Sequence, residues 1–162
     1  MSVQTMRTEP TPRDAARVRA LVEATGFFSW DEAGVAEELV TERLSKGLAS
    51  GYYFLFADGP DGGLEGYACY GPAPCTVGSF DLYWIAVHPA AQGNGLGKAL
   101  FHAVAEAAAA QGGRILFAET SSREQYAPTR RFYEGCGCTV RAVVRDFYDA
   151  GEDKVIYGVQ LA

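Results

Sequence analysis

The segment IAVHPAAQGNGLGKALFHAV, Ile85 to Val104, carries residues whose types and spacing suit phosphate chemistry. An apolar run ends in His88-Pro89, then Gly93, Gly95 and Gly97 alternate with other residues, and Lys98 opens an alanine-rich amphipathic stretch. Amides in the first turn of a helix have no intrahelical acceptor, and the helix dipole favours an anion there. Glycines let a phosphate approach the backbone without hindrance. A Walker A loop requires G-x-x-x-x-G-K-[ST]. Aligned on Gly97-Lys98, Gln92 stands where its first glycine should be and Ala99 where its metal-binding hydroxyl should be. A dinucleotide fingerprint, G-x-G-x-x-G, puts Lys98 or Leu100 at its third glycine, depending on whether it starts at Gly93 or Gly95. Both patterns fail. The spacing that fits is Q-x-x-G-x-G, Gln92, Gly95 and Gly97, between a strand and a helix N-terminus, which suits a pyrophosphate.

Such a loop needs a strand before it and a helix after it, and the flanking sequence supplies both. SFDLYWIAVHP reads as a strand, and Leu96, Leu100, Val104 and Ala107/Ala108 recur at helical spacing. Upstream, VQTMR suggests a short strand. TPRDAARVRALVEATG suggests a helix capped by Thr11, with Pro12 and Asp14 in its first turn and Gly26 as its stop. SWDEAGVAEELVTERLSKG repeats the design, with Ser29 and Glu32 at capping-box spacing and Gly47 at the end. YYFLFA and LEGYACYG form a hairpin around DGPDGG. Downstream, RILFAET is a strand, PTRRFYEGCG a short helix, and TVRAVVRDFY and KVIYGVQL a final strand pair. The order is β-α-α-β-β-β-α-β-α-β-β: an α/β sheet of mixed direction with hairpins at both ends and a crossover between them.

At 162 residues, with 48% hydrophobic and 21% charged residues, the chain reads as one globular domain spanning 1–162. No apolar run approaches the roughly 20 residues that cross a bilayer, and the N-terminus lacks a signal peptide's pattern, so no membrane partner and a cytoplasmic location are expected. Net charge −6 disfavours nucleic acid. The four cysteines, Cys69, Cys75, Cys136 and Cys138, match neither a disulfide framework nor a zinc spacing, so no metal is expected.

LYWIAVHPAAQGNGLG resembles the acyl-CoA motif of the GNAT superfamily of N-acyltransferases. APTRRFYEGCG is similar to that family's later helix, where a Tyr precedes an acidic residue and a glycine. The resemblance spans essentially the whole chain and implies a mostly antiparallel GNAT-like sheet with a splayed central strand pair. It also implies acetyl-CoA as co-substrate. The pantetheine arm would lie along Ile85, Ala86 and Val87, with the Val87 amide polarising the thioester carbonyl. Gln92, Gly93, Asn94, Gly95, Leu96, Gly97 and Lys98 would hold the pyrophosphate, Lys98 being equally well an ordinary solvated helix residue. Tyr126 stands where many members have an Asn that bonds the CoA arm or the acceptor side.

The implied reaction is direct transfer of acetyl to a primary amine of a small molecule or peptide in a ternary complex. The amine must lose a proton and the departing thiolate benefits from gaining one. Tyr133 matches the family's acid. Asp81, at a position where some members place a catalytic carboxylate, and Glu119, at the end of RILFAET, are level candidates for the base. His88 is a third. A regular strand would put Asp81, Tyr83, Ile85 and Val87 on one face. Acceptor choice would fall to Phe27, Phe28 and Trp30 and to the last hairpin with Tyr148. Arg130 and Arg131 could face solvent, a CoA phosphate or an acceptor carboxylate. The family also forms homodimers. The competing reading is a catalytically silent acyl-CoA sensor or accessory domain.

Overall fold

A burst of charge pairing, rather than a cap, starts the first helix. In the computed structural model, which describes residues 5–161, α1 (Asp14–Ala24) begins at Asp14, and Thr11 does not cap it. Instead the Thr11 amide and hydroxyl both donate to the Asp14 carboxylate, at 2.6 and 3.1 Å. Arg7 adds two bonds to the same carboxylate and Arg17 a third, between 2.7 and 3.0 Å. Both arginines also pair with Asp58. Asp14 is fully buried, and this network is what makes its burial tolerable.

Elsewhere the local signals act as expected. α2 (Trp30–Lys46) carries the complete capping box: Ser29 Oγ accepts from the Glu32 amide, the Glu32 carboxylate accepts from the Ser29 amide, and Gly47 ends the helix at φ +63°. The strands are β1 (Tyr53–Asp58), β2 (Leu64–Pro72), β3 (Ser79–Val87), β4 (Ile115–Ser121), β5 (Thr139–Asp149) and β6 (Glu152–Gln160). The remaining helices are α3 (Leu96–Ala110) and α4 (Ala127–Gly135). The six strands form one sheet in the order β1-β2-β3-β4-β6-β5. The expected opening strand falls partly outside the described residues, and within them it is a single antiparallel bridge from Arg7 to Phe56.

Two compact units are recognised: the described residues up to Gly71 with Trp84–Val104, and Pro72–Tyr83 with the described residues from Ala105 on. In the first, α1 and α2 bury Val18, Leu21, Val22, Ala33, Ala36 and Val40 with Phe54, Phe56, Tyr67 and Cys69 of β1 and β2. Each large apolar side chain buried there contributes about 1.5–3 kcal/mol. In the second, β3 pairs with β4 in parallel from Ser79↔Ile115 to Leu82↔Ala118. β4 pairs with β6 antiparallel along its full length, and β6 with β5. β5 is the sheet edge, exposed at every position, with register shifts after Val140 and after Val144. Among the described residues no helix is long and apolar enough to cross a membrane.

Burial alone would raise the Asp14 pKa, but the bonds from Arg7 and Thr11 outweigh it and the net direction is down. Its stabilising contribution is therefore complete above the ordinary carboxylate value near 4 and fades as pH falls through the lower folded value. Asp14→Asn should cost about 3 kcal/mol in urea unfolding at pH 7. That deficit should shrink as the titration is repeated toward pH 2.

Candidate active site

The glycine loop is built by hydrogen bonds that turn the chain sharply after β3. The His88 amide donates to the Glu65 carbonyl at 2.8 Å, and His88 Nδ1 accepts from the Ala90 amide at 3.1 Å. His88, the third base candidate, is thus engaged in the turn through Nδ1. The Gln92 side chain reaches back and donates to the Val87 carbonyl at 3.2 Å, clamping the strand end to the loop. Gly93 and Gly95 follow at φ +86° and +80°, values that side-chain-bearing residues rarely adopt. No heavy atom lies within 4 Å of where a Cβ would stand on either, so both glycines serve backbone conformation and leave the loop open to a ligand. The Ala99 amide bonds the Gly95 carbonyl at 3.0 Å, which sets α3 running. The amides of Leu96, Gly97 and Lys98 thus occupy the first turn, where an anion is best received. Asn94 and Lys98 are exposed.

Leu96 and Leu100 fasten this end of α3 to the sheet. They lie over Gly66 of β2, where a Cβ would come 2.9 Å from Leu100 Cδ1 and 3.2 Å from both Leu96 Cδ2 and the Ala86 carbonyl. Gly66 therefore sets how closely the loop's helix approaches β2 and Ala86, a role with no signature in the bare sequence. Ala86 is buried, and Ile85 and Val87 are partly so. Just before them Trp84 meets Phe28 edge-on, with ring centroids 5.0 Å apart. Phe28 therefore serves as packing, while Phe27 is exposed and Trp30 lies open under the Arg19 guanidinium at 4.6 Å.

In the second unit, register places the two candidate carboxylates together. Asp81 stands beside Phe117, and Glu119 is two residues further along β4, so both project from one face. Burial raises the Asp81 pKa and the neighbouring Glu119 charge raises it further, with Lys154 opposing both. Lys154 Nζ lies 2.8 Å from Glu119 Oε2 and 4.2 Å from the Phe147 ring centroid. Neither Lys154 nor Phe147 announces itself in the sequence, because their contact arises from the pairing of β6 with the irregular β5.

Tyr133 belongs to the opposite face. Ala118 and its register partner Tyr157 alternate with Glu119, and the Tyr133 ring packs 5.7 Å from Tyr157 and 5.6 Å from Phe132. Burial first, then the nearby Cys138 and Cys136, push the Tyr133 phenol well above the ordinary range, so it holds its proton at neutral pH. The Tyr157 hydroxyl donates to Glu134 Oε1 at 3.0 Å, and burial with that bond pushes its pKa up to about 12. Cys138 is pushed up to about 11, chiefly by burial, which makes it a poor nucleophile. Arg130 donates to the Ser121 and Arg123 carbonyls at 2.7 and 2.9 Å and so shapes the turn into α4, while Arg131 is exposed. Tyr126 closes that turn, its amide bonding Arg123 at 3.0 Å. Among the described residues no cluster of three His, Cys, Asp or Glu side chains could hold a metal ion.

Comparison with known proteins identifies the family and the fold. Residues 15–138 match the acetyltransferase (GNAT) family. No curated protein matches the chain. A GNAT-family crystal structure from Desulfovibrio desulfuricans is 53% identical over 98% of this chain and 99% of that one, with a TM-score of 0.95. The protein yncA from Salmonella typhimurium, solved with its cofactor acetyl-CoA, shares the fold at 22% identity, with a TM-score of 0.72 over 98% and 95% of the chains. So does the aminoglycoside 6′-N-acetyltransferase from Enterococcus faecium, at 15% identity and a TM-score of 0.76 over 98% and 97%. With a family match across most of its length and a relative more than half identical, this chain belongs to the GNAT acetyltransferase family.

Proposed function

We propose that the protein moves an acetyl group from acetyl-CoA to a primary amine by direct attack in a ternary complex. The observation that carries this reading is the division of proton-handling groups between two sheet faces: Asp81 and Glu119 on one, Tyr133 on the other. The β3–β4 ladder reaches Leu82↔Ala118, the rung just before Glu119. An acceptor that surrenders a proton and a thiolate that gains one call for a base and an acid on opposite sides of the reacting carbon.

Acetyl-CoA supplies an activated thioester and a sulfur leaving group. The open backbone at Gly93 and Gly95 fits its pyrophosphate, with Gln92 to Lys98 as the cradle. Ile85, Ala86 and Val87 would line the pantetheine arm, the Val87 amide stabilising charge on the carbonyl oxygen. Asp81 or Glu119 accepts the ammonium proton. The Tyr133 phenol protonates the sulfur as charge develops there, and its burial keeps the proton in place until then. Tyr126, which closes the turn before α4, would help hold the CoA arm. The acceptor is a small-molecule or peptide amine. The Enterococcus enzyme's action on aminoglycosides supports an amine as the acceptor class.

The test is CoA release measured over a panel of amines, amino acids and peptide N-termini. Turnover on at least one amine is expected, with Tyr133→Phe lowering kcat about 100-fold or more. Acetyl-CoA binding without turnover on any acceptor would favour a sensor instead. Gly95→Ala should weaken acetyl-CoA binding in calorimetry while the far-UV spectrum stays that of the wild type, since the strain is local. Asp81 is a carboxyl whose folded pKa is raised, so its ionised form opposes folding above that value. Asp81→Asn should therefore raise the melting temperature at pH 7 while lowering turnover.

A further inference from the structure

Two neighbouring carboxylates do not by themselves say which one accepts a proton, and the cation paired with one of them decides. Lys154 Nζ sits 2.8 Å from Glu119 Oε2, and its side chain is only 17% exposed. The Phe147 ring covers the same ammonium at 4.2 Å, a favourable charge–quadrupole contact. Held from two sides, the ammonium has a defined place on this face. Among the described residues the Asp81 carboxylate, by contrast, has no hydrogen-bond or ion-pair partner.

We propose that Lys154, gripped between Glu119 and Phe147, is a positioning residue that engages Glu119 in a fixed ion pair and leaves Asp81 as the carboxylate that takes the acceptor's proton. This rests on the acetyltransfer reading and specifies its base. Partial burial and the Glu119 charge raise the proton affinity of Asp81, while Lys154 keeps it from rising further. Other titratable or charged groups of the described residues on this face include Tyr83 on β3, Glu152 on β6, and Arg141 and Asp149 on β5. Glu152 Oε1 accepts from Ser121 Oγ, and the Arg141 stem lies over Gly158.

The proton balance closes within the chain. Asp81 takes one proton from the acceptor ammonium, and the neutral nitrogen forms the C–N bond. As the C–S bond breaks, the sulfur takes the phenolic proton of Tyr133. Tyr133 regains a proton from the nitrogen, which becomes the amide, and Asp81 returns its proton to water. The net change is one ammonium and one thioester to one amide, one thiol and one released proton.

The test follows the Asp81 carboxyl carbon by NMR titration in the ligand-free protein, which needs no acceptor. Lys154→Met should move the Asp81 midpoint upward by removing a favourable charge. Lys154→Arg should keep it near the wild-type position, and Glu119→Gln should move it downward by removing a repulsive one. With acetyl-CoA and the best amine of the panel, the acid limb of kcat/KM should shift in the same order. Asp81→Asn should lose turnover more severely than Glu119→Gln. An Asp81 midpoint indifferent to Lys154→Met in a folded variant would overturn the proposal. So would turnover that survives Asp81→Asn and vanishes with Glu119→Gln. If the wild type turns over no amine, the acetyltransfer reading falls and the titrations still decide whether Lys154 governs Asp81.

Discussion

The parallel rungs from Ser79↔Ile115 to Leu82↔Ala118 are the constraint on which the proposed chemistry hangs. A parallel pair cannot be joined by a hairpin, so the chain must leave β3, cross over and return. α3 is that crossover, and its first turn is where the glycine loop gains its free amides. The same rungs fix which residues share a face. A slip of one residue would carry Asp81 to the other side from Glu119, and a slip between β4 and β6 would separate Tyr157 from Tyr133.

Two aspartates show how differently one side chain can be treated within this chain. Asp14 is fully buried yet surrounded by donors, and its proton affinity is lowered. It ties the Arg7 bridge, α1 and β1 together. Asp81 is less buried and, among the described residues, lacks donors, and its proton affinity is raised. The first arrangement stabilises the fold, and the second, on the proposed reaction, would keep a base poised at some cost to it.

Much of the layout was legible because it depends on local rules. Alternating glycines, the Ser29–Glu32 box and the periodicity of Leu96, Leu100 and Val104 each act within one or two turns, and each is realised. Thr11 reads as a cap only while the adjoining helix is its sole context. Arg7 and Arg17 compete through Asp14, and Asp14 takes the Thr11 donors. Phe28 differs from Phe27 and Trp30 through its contact with Trp84, which is distant in sequence. The shared face of Asp81 and Glu119 depends on pairing between strands more than thirty residues apart in sequence, and the Lys154–Phe147 contact on an irregular ladder. Composition and spacing say nothing of either.

The edge strand β5 is exposed along its whole length and breaks register twice. Residues on such a strand are free to drift, since few neighbours object to a change. Yet Phe147 lies on it, over the ammonium that meets Glu119. The least constrained strand of the sheet therefore covers the Lys154–Glu119 charge pair. On the proposed reaction, natural variation on this rim would retune reactivity by degrees without altering a residue that meets substrate, giving a lineage a gradual path from one amine to another.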